Sequence, residues 1–439
     1  MKYTSIQNTA VLLGVLVAGV FGASSALFAQ SRGINQDEGK VPPYVLPDLL
    51  RQADGTRVTT RQSWEANRRP EILRFYETQM YGRSPARPGD MRFVVTATDT
   101  NALGGLAIRK EVTLQLSKSP EAPQIHLLMY VPKKTMAARE RPPVFLGLNF
   151  SGNQTVSADP GITLQEQWVR AENNGPWVRR MPAESTRGKD ASSWQVEKIL
   201  ERGYALATFH YFDVEPDDAD AYEHSVRAVF PKPNAGKPGP DEWGAIAAWA
   251  WGASCAMDYL ATDRDVEASK VALMGHSRLG KTALWAGAQD KRFAVVISND
   301  SGEGGAALSR RWFGETVERI NTSFPHWFCG NYKQYNNNED KLPMDQHMLI
   351  ALMAPRPVYV ASAEQDLWAD PKGEFLSALN AEPVYRLYGL AGLGVTEMPG
   401  IEQPAGRFIG YHIRHGKHDV TAYDWDRYLD FADRHFGRP

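Results

Sequence analysis

Cysteine is scarce in this chain: two residues in 439, Cys255 and Cys329. A disulfide framework is thereby excluded as the main source of stability, which must come from a large apolar core. The two thiols can form at most one bridge. Cys255 lies in the Ala/Trp-rich run 243–260, where a small buried thiol explains it equally well. Net charge is also scarce. The 49 Lys and Arg nearly balance the 51 Asp and Glu, for a formal charge of −2, which argues against nucleic acid or an anionic membrane as partner. Metal motifs are missing: there is no His-Glu-x-x-His, no cysteine pair at ligand spacing and no calcium loop. Gly304-Gly305 is too short a signal for a nucleotide loop. No cofactor and no metal are expected. Internal repeats, Ser/Thr/Pro linkers and low-complexity tails are absent too, so one elaborated domain fits better than two or three average ones.

The N-terminus reads as a secretory signal over residues 1–29. Lys2 provides a positive start, 10–21 is an uncharged apolar core, and the small residues of 23–29 suit cleavage. That core is too short to span a bilayer comfortably, and no cysteine near the cleavage region invites a lipid. The expected location is secreted or periplasmic, without a stable membrane anchor. The catalytic domain is expected to occupy 30–439, with polar loop insertions near 151–195 and 212–240.

Hydrophobic patterning supplies the elements. Segments 91–98 and 106–116 alternate as antiparallel strands do, and 125–131, 144–150, 203–211, 270–274, 293–298, 356–362 and 407–413 read as further strands. Residues 242–261 are apolar nearly all round, which predicts a buried helix, and 345–353 and 420–436 predict two more. Strand and helix alternate, so the expected fold is α/β: a three-layer sandwich with a mostly parallel, doubly wound sheet. Ligands in such sheets bind at the carboxyl ends of strands.

One stretch organises the rest. Gly275-His276-Ser277-Arg278-Leu279-Gly280-Lys281 stands between an apolar strand and the helical run that starts at Thr282. A strand, a sharp turn at Gly-x-Ser and a helix form the nucleophile elbow of α/β-hydrolases, which lifts a serine Oγ clear of the sheet. The second glycine, Gly280, comes one position later than usual, and a serine before a helix is as often a simple N-cap. A serine nucleophile needs a base. Of ten histidines, His412 alternates with apolar neighbours inside a predicted strand, while His415 and His418 lie on the loop after it. His418 stands just before the terminal helix, the usual station of a triad histidine, and is favoured. Two acids follow strands and qualify as its orienter, Asp300 and Asp366, although a loop Asp can equally be a turn former or cap. The loop 149–153 is either a source of oxyanion donors or a plain turn.

Several motifs in order resemble those of glucuronoyl esterases: the Gly275–Lys281 stretch, Ser301-Gly302-Glu303-Gly304-Gly305, Arg311-Trp312-Phe313-Gly314-Glu315-Thr316, Ala354-Pro355-Arg356-Pro357 and the loop from His415 to Asp419. The resemblance covers roughly residues 142–436. It implies hydrolysis of esters joining lignin alcohols to the 4-O-methyl-glucuronic acid branches of xylan; a monomer is expected. By resemblance Ser277 is the nucleophile, His418 the base and Arg278 an oxyanion stabiliser, while Lys281, Glu315 (or Glu318) and Trp368 hold the sugar. Fungal members carry a cysteine where His276 stands, bridged to a residue after the catalytic histidine. Here His276 and Asp419 occupy those places. Fungal members also carry Glu at the position of Asp300, whereas many bacterial ones use the Asp366 station, so this chain resembles the bacterial type. The competing expectations are an acetyl-xylan or other carbohydrate esterase on the same fold, and a catalytically inactive polysaccharide-binding relative.

Overall fold

The apolar runs assemble into one ten-stranded sheet. In the computed structural model the described residues are 33–117, 122–230 and 239–438. The expected signal segment 1–29 and residues 231–238 of the second insertion lie outside them. The sheet strands are β1 (Arg92–Asn101), β2 (Ala107–Gln115), β3 (Gln124–Pro132), β4 (Val144–Asn149), β7 (Ala205–His210), β8 (Val271–His276), β9 (Phe293–Asn299), β10 (Val358–Ala363), β11 (Ala405–Gly406) and β12 (Ile409–Arg414). Their spatial order is β1-β2-β3-β7-β4-β8-β9-β10-β12-β11, and β5 (Gln167–Arg170) pairs with β6 (Trp177–Arg180) in a separate hairpin within the first insertion.

From β7 to β12 every neighbouring pair is parallel. The antiparallel alternation predicted for the first strands holds in β1, β2 and β3, and β3 joins β7 antiparallel as well. β4, β7, β10 and β12 are buried at every residue, as strands covered by helices on both faces must be. One face carries α1 (Arg69–Gln79), α2 (Ala245–Leu260), α3 (Arg278–Gln289), α4 (Gln346–Ala351) and α5 (Pro371–Leu387). The other carries the short helix Val196–Glu201 and α6 (Ala422–Phe436). The result is the expected three-layer α/β-hydrolase sandwich. Helix α2 is apolar all round because it is buried between the sheet and its neighbours, with only Asp258 less than fully covered. Among the described residues no helix is long and apolar enough to cross a membrane.

Among the elements that the pattern reading does not single out are a long helix and a hairpin. Helix α5 starts on Pro371, carries Pro383 inside and buries small polar residues such as Ser377 beside Phe375 and Val384, so its apolar stripe is blurred. The β5–β6 hairpin has four residues per strand, too few for alternation to stand out. Cys255 and Cys329 are both buried and unbridged, which settles the open question of their pairing.

Candidate active site

The chemistry-bearing residues meet at the carboxyl end of the sheet. Ser277 follows β8 with φ 58° and ψ −129°, a region that a residue with a Cβ occupies only when its surroundings impose it. Its side chain makes no capping hydrogen bond to α3, which leaves the hydroxyl unspent on the helix start. Its N–H donates to Asn299 O at 2.9 Å. The displaced glycine is explained by packing. A Cβ on Gly275 would lie 1.9 Å from Leu279 O, and one on Gly280 would lie 2.9 Å from the Ser301 Cβ. Gly280 is therefore needed where the new helix crosses the loop after β9.

His418 sits on the loop between β12 and α6, 42% exposed, and its Nδ1 lies 2.6 Å from an Asp366 carboxylate that is only 5% exposed. Asp300 is adjacent but faces elsewhere. Its Oδ2 accepts from Arg414 Nη2 at 3.2 Å and from Asp419 N–H at 3.4 Å. Burial and the neighbouring Glu374 charge push the Asp300 carboxyl well above the usual range, against the pull of Arg414. Side-chain ligand atoms of Asp300, Asp366 and His418 gather within 4.8 Å of one another, but the hydrogen bond among them joins His418 Nδ1 to Asp366.

The other histidines separate as expected. His412 is buried between Asp424 (2.8 Å) and the Tyr359 hydroxyl (2.9 Å), while His415 is 67% exposed and pairs with Glu364. His276 has a less obvious place. Its ring centroid is 4.4 Å from that of His418, its Nδ1 lies 2.5 Å from Asn299 Oδ1, and burial together with the His418 charge depresses it to about 3. It is a neutral wall against the candidate base. Asp419 caps its own loop through Val420 N–H and accepts from Ser193 Oγ, so His276 and Asp419 make no direct pair.

Beyond Ser277 the first turn of α3 carries two cations at the positive end of a helix, an unfavourable place without compensation. Each has an acid. Lys281 is buried, donates to Ser301 O at 2.6 Å and lies 3.9 Å from Glu315. Burial pushes the Lys281 ammonium down, and Glu315 and Glu303 oppose that. Glu315 N–H in turn donates to Trp368 O at 3.0 Å. Gly314 makes that approach possible, since a Cβ there would lie 2.4 Å from the same oxygen. Lys281, Glu315 and Trp368 thus form one group. Glu318 lies in the helix Val317–Ser323, and among the described residues no ion pair joins it to Lys281.

Arg278 pairs with Asp217, a residue no sequence motif singled out. The guanidinium carbon also stands 4.9 Å from the Trp327 ring centroid and 5.6 Å from that of Phe324. Asp217 sits in the second insertion among Asp213, Asp218 and Asp220, and nothing local distinguishes it from them. The loop 149–153 behaves as a turn. Asn149 spends its side chain on Gly152 N–H, Asn153 and Thr208, and Phe150 flanks His276 and Arg278.

An elbow serine, an imidazole after the last long parallel strand and a carboxylate behind it, on this strand order, place the chain in the α/β-hydrolase class. A family model described as fungal glucuronyl esterase matches residues 238–389. A solved glucuronoyl esterase from Solibacter usitatus is 54% identical with a TM-score of 0.86, over 91% of this chain and 100% of that one. The carbohydrate esterase MZ0003 of an unknown prokaryotic organism is 50% identical over 432 residues, 98% of this chain and 99% of the relative. The 4-O-methyl-glucuronoyl methylesterase of Schizophyllum commune is 27% identical over 82% of this chain and 77% of its own length. The chain belongs to the glucuronoyl esterase family, carbohydrate esterase family 15, and is a carboxylic ester hydrolase.

Proposed function

We propose that this is an exported glucuronoyl esterase that cleaves the ester between a lignin alcohol and a 4-O-methyl-glucuronic acid branch of xylan, through an acyl-enzyme on Ser277. Ser277 Oγ attacks the ester carbonyl while His418 Nε2 takes its proton. Asp366 on Nδ1 holds the imidazole in the tautomer that leaves Nε2 free to accept, and stabilises the imidazolium that forms. His418 then returns the proton to the departing alcohol, and water repeats the sequence to release the uronate. Negative charge develops on the carbonyl oxygen beside the first turn of α3. There the Arg278 side chain and the free N–H groups of the helix start stabilise it. Asp300 holds Arg414 and the His418 loop and makes no direct contact with the base.

The observation that carries the substrate reading is the group beside the elbow formed by buried Lys281 and Glu315 with half-buried Trp368. An esterified uronate has lost its carboxylate charge, so recognition falls to sugar hydroxyls and the pyranose face. Lysine and glutamate donate to and accept from hydroxyls, and an indole covers an apolar sugar face. The single test compares hydrolysis of benzyl glucuronate with that of an acetylated xylan, for wild type and Ser277→Ala. Cleavage of the glucuronate ester that disappears in Ser277→Ala is expected. A preference for the acetylated sugar would transfer the reading to an acetyl-xylan esterase, and no hydrolysis of either would point to a polysaccharide-binding relative. Export rests on residues 1–29, and loss of the protein from the periplasm and medium on their deletion tests it.

A further inference from the structure

The group around Asp217 has no part in any motif that carried the family resemblance, yet it converges on Arg278. The Asp217 carboxylate is 4% exposed and gathers four donors from three segments. His326 Nε2 lies at 2.8 Å, Trp327 Nε1 at 2.6 Å and the Tyr211 hydroxyl at 3.3 Å, and Arg278 Nη1 completes the set. Burial alone would raise its pKa, but hydrogen bonds from His326 and Trp327 and the Arg278 charge bring it below the ordinary value. It is therefore a fixed anion.

Arg278 needs such an anion. Its side chain is 30% exposed, its Nε is buried without a hydrogen-bond partner among the described residues, and it sits at the positive end of α3. An arginine side chain in that place would ordinarily swing into water. Here Asp217 takes one Nη, and the indole that donates to Asp217, Trp327, also lies 4.9 Å beneath the guanidinium. One tryptophan therefore fixes both the acid and the plane of the cation. A planar fork held along one edge presents the rest in a fixed direction, and an oxyanion donor is effective only when oriented before charge develops.

We propose that Asp217 is a positioning residue of the ester-hydrolysing site, holding the Arg278 guanidinium aimed at the oxyanion through the carboxylate that His326 and Trp327 lock in place. This rests on the oxyanion role of Arg278 given above, and it does not depend on which sugar or alcohol the ester carries.

The experiment is a double-mutant cycle of Asp217→Asn with Arg278→Ala, read as kcat and KM on benzyl glucuronate and on nitrophenyl acetate. Asp217→Asn keeps the shape and removes the charge. It is expected to lower kcat about 10-fold or more with KM nearly unchanged, and to cost little further once Arg278 is Ala, because the two act as a unit. A merely structural role would reduce folded enzyme and add its loss in both backgrounds. An equal loss with Arg278 present or absent overturns the proposal, as does an unchanged kcat in Asp217→Asn. Should Asp217→Asn fail to fold, His326→Leu withdraws one donor from Asp217 and leaves the rings beneath Arg278 in place. The same coupling is then expected at smaller size, and additive losses again overturn the idea. The acetate ester separates the two readings. A wild type active on acetate but not on the glucuronate would sink the substrate assignment and still allow the Asp217–Arg278 coupling to be measured.

Discussion

Asp366→Asn is the sharpest test of the proposed mechanism. The substitution preserves size but replaces a carboxylate that can only accept with an amide that can also donate. At 2.6 Å from His418 Nδ1, the amide N–H₂ can turn toward that nitrogen and hold the proton on Nε2, so the imidazole no longer accepts from Ser277. The lost charge matters as well. Two unit charges about 4 Å apart interact by about 4 kcal/mol at an effective dielectric of 20, which corresponds to about a thousandfold in rate. With the wrong tautomer added, kcat should fall about 10³–10⁴-fold. Asp300→Asn should behave differently. Its carboxylate is spent on Arg414 at 3.2 Å, and Arg414 retains Asp424 at 2.7 Å from its Nε. A loss of about tenfold or less in kcat is expected, accompanied by a lower melting temperature. The assay is kcat on benzyl glucuronate at the pH optimum of each variant, with circular dichroism to confirm folding. A larger loss in Asp300→Asn than in Asp366→Asn would refute the reasoning. So would two moderate losses with collapse only in the double variant, since the two acids would then be interchangeable.

Arg278→Ala should lower kcat about 10²–10³-fold with little change in KM; a wild-type kcat, measured at saturation, removes Arg278 from the mechanism. Lys281→Met and Trp368→Ala should weaken hydrolysis of glucuronate esters much more than that of nitrophenyl acetate, and equal losses on both would assign them to the fold instead. His276 has a folded value depressed from 6.5 to about 3, so the unfolded chain binds the extra proton first and stability should fall as pH drops from about 6.5 toward 3. Denaturant unfolding of His276→Gln should show less of that acid-side loss, and an identical pH profile would contradict the depressed value. Thiol titration of unreduced protein should find two reactive thiols after denaturation and almost none before, as two buried, unbridged cysteines require.

How far the sequence reached depended on whether the physics was local. Strand runs, the all-apolar helix α2 and the elbow announce themselves within a dozen residues, because burial on one or both faces dictates which side chains can stand there. The candidate serine, acids and histidine each follow a strand that the pattern announces, and ligands in such sheets bind at those carboxyl ends. His412 was separable from His418 by its alternation with apolar neighbours alone. Other decisions belong to the tertiary structure. Asp300 and Asp366 both follow strands and look alike in sequence; Arg414, 114 residues from Asp300 along the chain, captures the first and leaves the second to His418. The displaced Gly280 has its reason in the helix crossing Ser301, a contact between segments that are not neighbours in the chain. Asp217 carried no signal, because its meaning lies in an arginine 61 residues away and in His326 and Trp327 more than a hundred residues on. A carboxylate in a polar loop is worth little until folding removes water from it and brings three donors and a cation within reach, and that convergence is a property of packing alone.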